Sequence, residues 1–140
     1  MNLEQLAETF DLLGDWEERY RYLIELGRKL PPLPEAARTE TNKVRGCMSQ
    51  VWLVAETEPG PPLRLRLRGD SDAHLVKGLI AVLFALYDGR TPREILDTDL
   101  QGAFARLGLE NHLTMNRRNG FYAMVERIRS LARAAERAAA

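Results

Sequence analysis

Between Leu75 and Tyr87, apolar side chains leave a helix almost no wet side. Leu75, Val76, Leu79, Ile80, Val82, Leu83, Phe84, Leu86 and Tyr87 are spread around the whole helical wheel. A helix apolar all round must be covered on all sides, so it is the centre of whatever fold the chain adopts. Asp72 is a suitable N-cap for it and Gly89 a suitable stop. Gly78, inside the helix, reads as a place where another backbone comes close. The longest unbroken apolar run, Leu79 to Tyr87, is far shorter than the ~20 residues that a membrane span takes.

The partner layer is written just upstream, where the period changes. Gln50-Val-Trp-Leu-Val-Ala-Glu-Thr57 is rich in strand formers, and Leu63-Arg-Leu-Arg-Leu-Arg68 alternates strictly. Pro59-Gly-Pro-Pro62 between them is a turn, which makes an antiparallel hairpin with a leucine face for the central helix and an arginine face for water. Asn42-Lys-Val-Arg45 is expected to add a third short strand. Helical patterns flank this middle. Leu3 to Leu13 starts from Asn2 and Gln5, and Trp16 to about Gly27 starts from Asp15 and Glu18. A proline-rich connection follows. After the central helix come a short helix from Thr91-Pro-Arg-Glu94, another from Asp99 to Gly108, and a last one after Thr114, expected to fray from Arg133. The order predicts an α+β fold over residues 1–140 as a single domain: a small antiparallel three-stranded sheet with helices packed against it.

Twenty Lys+Arg balance twenty Asp+Glu. Bulk attraction to nucleic acid or to an anionic membrane is therefore absent from the composition, and neither is an expected partner. Charge is uneven along the chain. Residues 1–40 are acid-rich, and residues 101–140 carry seven arginines against Glu110, Glu126 and Glu136. The acidic N-terminus lacks the basic patch of a signal peptide, so a cytoplasmic protein with a reduced thiol is expected.

That thiol is Cys47, the one cysteine in 140 residues. It can neither close an internal disulfide nor supply a multi-thiolate metal site. Gly46 frees the backbone beside it, and Lys43 and Arg45 lie close enough in sequence to favour the nucleophilic thiolate. A buried inert cysteine is the alternative. A Cys–His hydrolase or transferase would need His74 or His112 within hydrogen-bond reach of the sulfur, and neither spacing is diagnostic. No phosphate loop or calcium loop is present. The Arg64, Arg66 and Arg68 stripe, without interleaved aromatics, reads as a solvated strand face.

One segment, Val44-Arg-Gly-Cys-Met-Ser-Gln-Val-Trp52, resembles the signature of the SufE/CsdE family of sulfur acceptors when taken with Val76-Lys-Gly-Leu-Ile-Ala-Val82. The similarity extends to Trp16-Glu-Glu-Arg-Tyr20, Ile24-Glu-Leu-Gly27, Leu30-Pro-Pro-Leu33, Gly69-Asp-Ser-Asp-Ala73, His112-Leu-Thr114 and Arg117-Arg-Asn-Gly120. Many relatives have Pro-Ser after His-Leu-Thr, where this chain has Met115-Asn116. The resemblance implies a SufE/NifU-like fold. It also implies a carrier that takes sulfane sulfur from a pyridoxal-phosphate-dependent cysteine desulfurase of the SufS/CsdA type. The sulfur would ride as a persulfide on Cys47, the desulfurase would be stimulated, and the cargo would pass to an iron–sulfur scaffold complex. Such a protein is an accessory rather than a stand-alone enzyme, needs no cofactor or metal, and is expected as a monomer or weak homodimer. Gly46 is then the hinge of a loop with a sheltered and an extended state. Asp70, Asp72, His112 and Arg117 are the residues expected to face the partner.

Overall fold

The apolar segment forms the helix that the others surround. The computed structural model describes residues 1–139. In chain order it contains α1 (Leu3–Leu12), α2 (Trp16–Arg28), β1 (Val51–Glu58), β2 (Arg64–Ser71), α3 (His74–Tyr87), α4 (Pro92–Leu96), α5 (Leu100–Leu107) and α6 (Met115–Ala139), with single 3-10 turns at Glu35–Ala37 and Glu110–His112. Helix α3 touches α1, α2, α6 and β2. Leu79, Ile80, Val82, Leu83 and Tyr87 in it are buried. The core around it draws on every helix and on both strands.

The closest approach is between α2 and α3. A Cβ placed on Gly78 would lie 2.4 Å from the Leu23 carbonyl oxygen, and one on Gly27 would lie 2.6 Å from the Gly78 nitrogen. Glycine at both positions is what lets the two backbones meet, as the isolated Gly78 had suggested.

Strands β1 and β2 pair antiparallel from Val51↔Ser71 to Glu58↔Arg64. Leu65 and Leu67 are buried, while the arginine face is ladder-like: Arg66 pairs with Glu58 at 2.8 Å and Arg68 with Glu56 at 3.3 Å. The expected third strand shrinks to one bridge, Lys43↔Trp52. Turns consume the residues before it. Asn42 N–H donates to the Thr39 carbonyl and Lys43 N–H to that of Glu40. Only the Val44 N–H···O Val51 (2.8 Å) and Leu53 N–H···O Asn42 (3.0 Å) bonds remain for the sheet.

Most predicted caps form. Asn2 with Gln5, and Thr91 with Glu94, make reciprocal boxes, and Asp15 accepts from Glu18 N–H. Those bonds from Thr91 hold the Glu94 carboxyl below the usual range. Asp72 is a correction. Helix α3 has Ala73 as its N-cap and no side-chain cap, because the Asp72 carboxylate turns away to accept Gln50 N–H at 3.0 Å. The fraying expected from Arg133 is not seen within the described residues either. Ala132 is buried, Glu136 pairs with Arg93 of α4, and the helix continues to Ala139. Ala140 lies outside the described residues. Among those described, no helix is long and apolar enough to cross a membrane.

Candidate functional site

The segment from Arg45 to Gln50 leaves the sheet and carries Cys47 across α6. Both of its feet are pinned. Val44 N–H···O Val51 closes the base, and Gln50 is held twice by Asp72: its N–H donates to the carboxylate, and its carbonyl accepts Asp72 N–H at 3.3 Å. At Gly46 the backbone takes φ +88°, a left-handed conformation that side-chain-bearing residues avoid. This bend turns Cys47 inward. Its Sγ lies 3.5 Å from the Gly120 carbonyl oxygen of α6, and the side chain is half-buried. A Cβ at Gly120 would lie 3.5 Å from that sulfur, in van der Waals contact, so any bulk beyond a methyl there would press on the thiol.

Beside the thiol is a pocket of about 380 Å³. Val51, Val76, Leu79, Phe121 and Met124 give it apolar walls, and Ser49, Thr114, Asn116 and Arg117 add polar groups. Met48 also lines it and is 84% exposed, so the loop shows an apolar side chain to solvent next to its sulfur.

The electrostatics differ from the expectation of an ionised sulfur. Burial pushes the Cys47 thiol above its ordinary range, and no charge offsets the shift. Lys43 and Arg45 both turn to Glu40, at 3.9 and 3.3 Å. Nearness in sequence did not become nearness in space, so the resting form at neutral pH is the protonated thiol.

The predicted site residues separate into groups. Arg117 does line the Cys47 pocket, and among the described residues it has no carboxylate within ion-pair distance. His112 stacks on the Trp16 ring at 3.9 Å, and its backbone carbonyl accepts the Tyr20 hydroxyl. His74 opens α3. Neither histidine lines the pocket, so the Cys–His arrangement of a hydrolase is not assembled there. Asp70 is not on an exposed rim. It is 7% exposed, ion-paired to Arg38 and, at 3.4 Å, to Lys77, and it accepts Ser71 N–H. Arg38 in turn covers the Trp52 ring at 5.1 Å. Asp70 and Asp72 thus brace the strand ends from which the Cys47 loop springs.

Sequence reasoning missed the pocket walls and Arg38. Gly120 carried a usable signal, a glycine interrupting the pattern of α6. The pairing of Arg38 with Asp70, thirty-two residues apart, left no local trace.

The described residues make a small α+β fold that lodges its one thiol beside an apolar pocket. The chain belongs to the SufE family: the family model, described as an Fe-S metabolism associated domain, matches residues 4–132. An uncharacterised SufE-like protein of Rhizobium meliloti is 47% identical over 131 residues, covering 92% of this chain and 93% of that one. One from Rhizobium etli is 48% identical over 134 residues, covering 94% and 90%. The solution structure of a hypothetical protein from Thermus thermophilus matches with a TM-score of 0.75 and 29% identity, over 95% of this chain and 94% of that one. The family expected from the motifs and the α+β fold both stand, with two strands where three were expected. The family ties the chain to iron–sulfur metabolism.

Proposed function

We propose that the protein is a sulfur carrier that works with a pyridoxal-phosphate-dependent cysteine desulfurase in the cytoplasm. Cys47 holds the cargo, and an iron–sulfur scaffold complex receives it. The observation that carries this reading is the placement of Cys47 Sγ against Gly120 O, next to an apolar pocket, on a loop bent at Gly46.

The chemistry needs two environments. Indoors, burial keeps the thiol protonated and unreactive. When the loop swings out about Gly46, the desolvation penalty vanishes and the proton is lost to solvent or to a base of the donor. The Cys47 thiolate then attacks the terminal sulfur of the donor's persulfide. A new S–S bond forms on Cys47, the donor's S–S bond breaks, and the donor cysteine leaves as thiolate. No net oxidation occurs. Returning the loop places the persulfide among apolar side chains, away from soluble thiols. A second cysteine could expel the sulfur by forming a disulfide, and the chain has none. In this reading Gly46 is the hinge, Arg117 and His112 face the partner, and Asp70 and Asp72 hold the loop's foot.

The test is mass spectrometry after incubation with a desulfurase and L-cysteine. The Cys47 peptide gains one sulfur atom, which a reductant removes, and Cys47→Ser gains none. Desulfurase turnover with Cys47 left unmodified overturns the reading.

A further inference from the structure

A second concavity, about 510 Å³, runs along the adjoining face of α6. The turn segment 40–45, which leads into the Cys47 loop, makes its other wall. The two are in contact where the loop turns: a Cβ at Gly46 would touch Ala123 at 3.4 Å, and Ala123 lines the groove. Four cations line it, Lys43, Arg45, Arg127 and Arg133, against two carboxylates, Glu40 and Glu126. In a chain with no net charge overall, this excess is local.

The excess is also incompletely neutralised. On the hairpin, Arg66 and Arg68 each have a glutamate of their own. Here Glu40 is shared between Lys43 and Arg45, and Glu126 between Arg133 and Arg129. Arg127 has no carboxylate within ion-pair distance among the described residues. It points Nε and Nη2 at the Leu53 carbonyl oxygen, at 3.2 and 3.1 Å. Burial without a counter-charge pulls its basicity down. A carboxylate brought to this wall gains from every such shared or unpaired cation.

We propose that this groove docks an acidic peptide segment of a partner protein and so seats that partner beside the Cys47 loop. The assignment of the partner as sulfur donor or sulfur acceptor rests on the carrier reading; the groove's chemistry does not. Peptide carboxylates fit better than a nucleic-acid backbone. Glu40 and Glu126 are exposed and stand among the cations, so spaced carboxylates can pass between them while a continuous run of phosphates would be repelled. No aromatic side chain lines the groove on which a base could stack. The contact with Arg45 matters for function, because it places the docked segment two residues from the sulfur.

The probe is hexaglutamate, titrated into the ¹⁵N-labelled full chain at about 50 mM and about 300 mM salt, since screening must weaken such binding. Amide shifts should be confined to residues 40–46 and 123–133 and should fade at the higher salt. Ser130→Glu with Arg133→Glu, both on the accessible side of α6, should weaken binding about tenfold or more at low salt, whereas Arg133→Lys should retain it. Equal binding by the double-glutamate variant overturns the proposal. So do shifts spread evenly over the Arg64–Arg68 face, or oligothymidylate binding as tightly as the peptide to the same residues. The titration contains no desulfurase, so its failure would leave the sulfur-carrier reading intact, and the mass-spectrometric failure of that reading would leave the groove's test unchanged.

Discussion

Cys47 shows how one side chain's surroundings set its chemistry. With burial as the cause of its raised pKa, the rate of alkylation by iodoacetamide should climb with pH along a curve displaced above that of free cysteine. A curve displaced below it would mean that cations do reach the sulfur. Stability follows the same sign. Where the unfolded thiol has ionised and the folded one has not, the unfolded state gains, so the urea midpoint should fall as pH rises from the unfolded to the folded pKa. Asp70 is the second case. Replacing it by Asn leaves Arg38 and Lys77 without their shared counter-charge, and should cost about 2 kcal/mol in urea denaturation. A loss within experimental error would make the cluster dispensable. Both residues mark where the sequence stopped being informative. Gly46 and Cys47 announced a bend and a thiol, because backbone freedom and chemistry belong to single residues. That Lys43 and Arg45 would turn to Glu40, or that Asp70 would be enclosed, depends on groups brought together only by folding.

Elements were more legible, since period and caps are local. The six helices and the hairpin follow from patterns in the chain; Gly78 announced a close backbone approach, but that α2 and Gly27 make it is known only from the fold. Gly78→Ala tests that crossing. Alanine favours an isolated helix by about 1 kcal/mol, yet its methyl would meet the Leu23 carbonyl at 2.4 Å. Overpacking against backbone should win, with a net loss of about 2 kcal/mol, and a neutral or stabilised variant would show that the helices can part cheaply. The third strand was the misreading. The four residues Asn42 to Arg45 were read as a short strand, but the Thr39–Lys43 turns that remove most of them from the sheet depend on hydrogen bonds between residues three apart. Asp72 was likewise assigned to the helix nearest in sequence, when the unpaired N–H it serves is that of Gln50, twenty-two residues away.

At the scale of the molecule, α6 joins what the hairpin and the loop do separately. It supplies the carbonyl under Cys47, two walls of the pocket, and one side of the cationic groove. Gly120→Val should therefore evict the thiol without touching the loop's own residues. Alkylation should become several-fold faster at neutral pH, with the helix content unchanged by circular dichroism. If the rate does not change, the sulfur's resting place is set elsewhere.

The Val44–Val51 bond fixes the length of the arm. Only Arg45 and Gly46 separate that anchor from Cys47, so even drawn straight the three steps carry its Cα about 10 Å from its root. On the proposed carrier reading, a collaborator that buries its reactive group deeper than this has to deliver it on a movable limb of its own, or admit the whole tip of this molecule into its entrance.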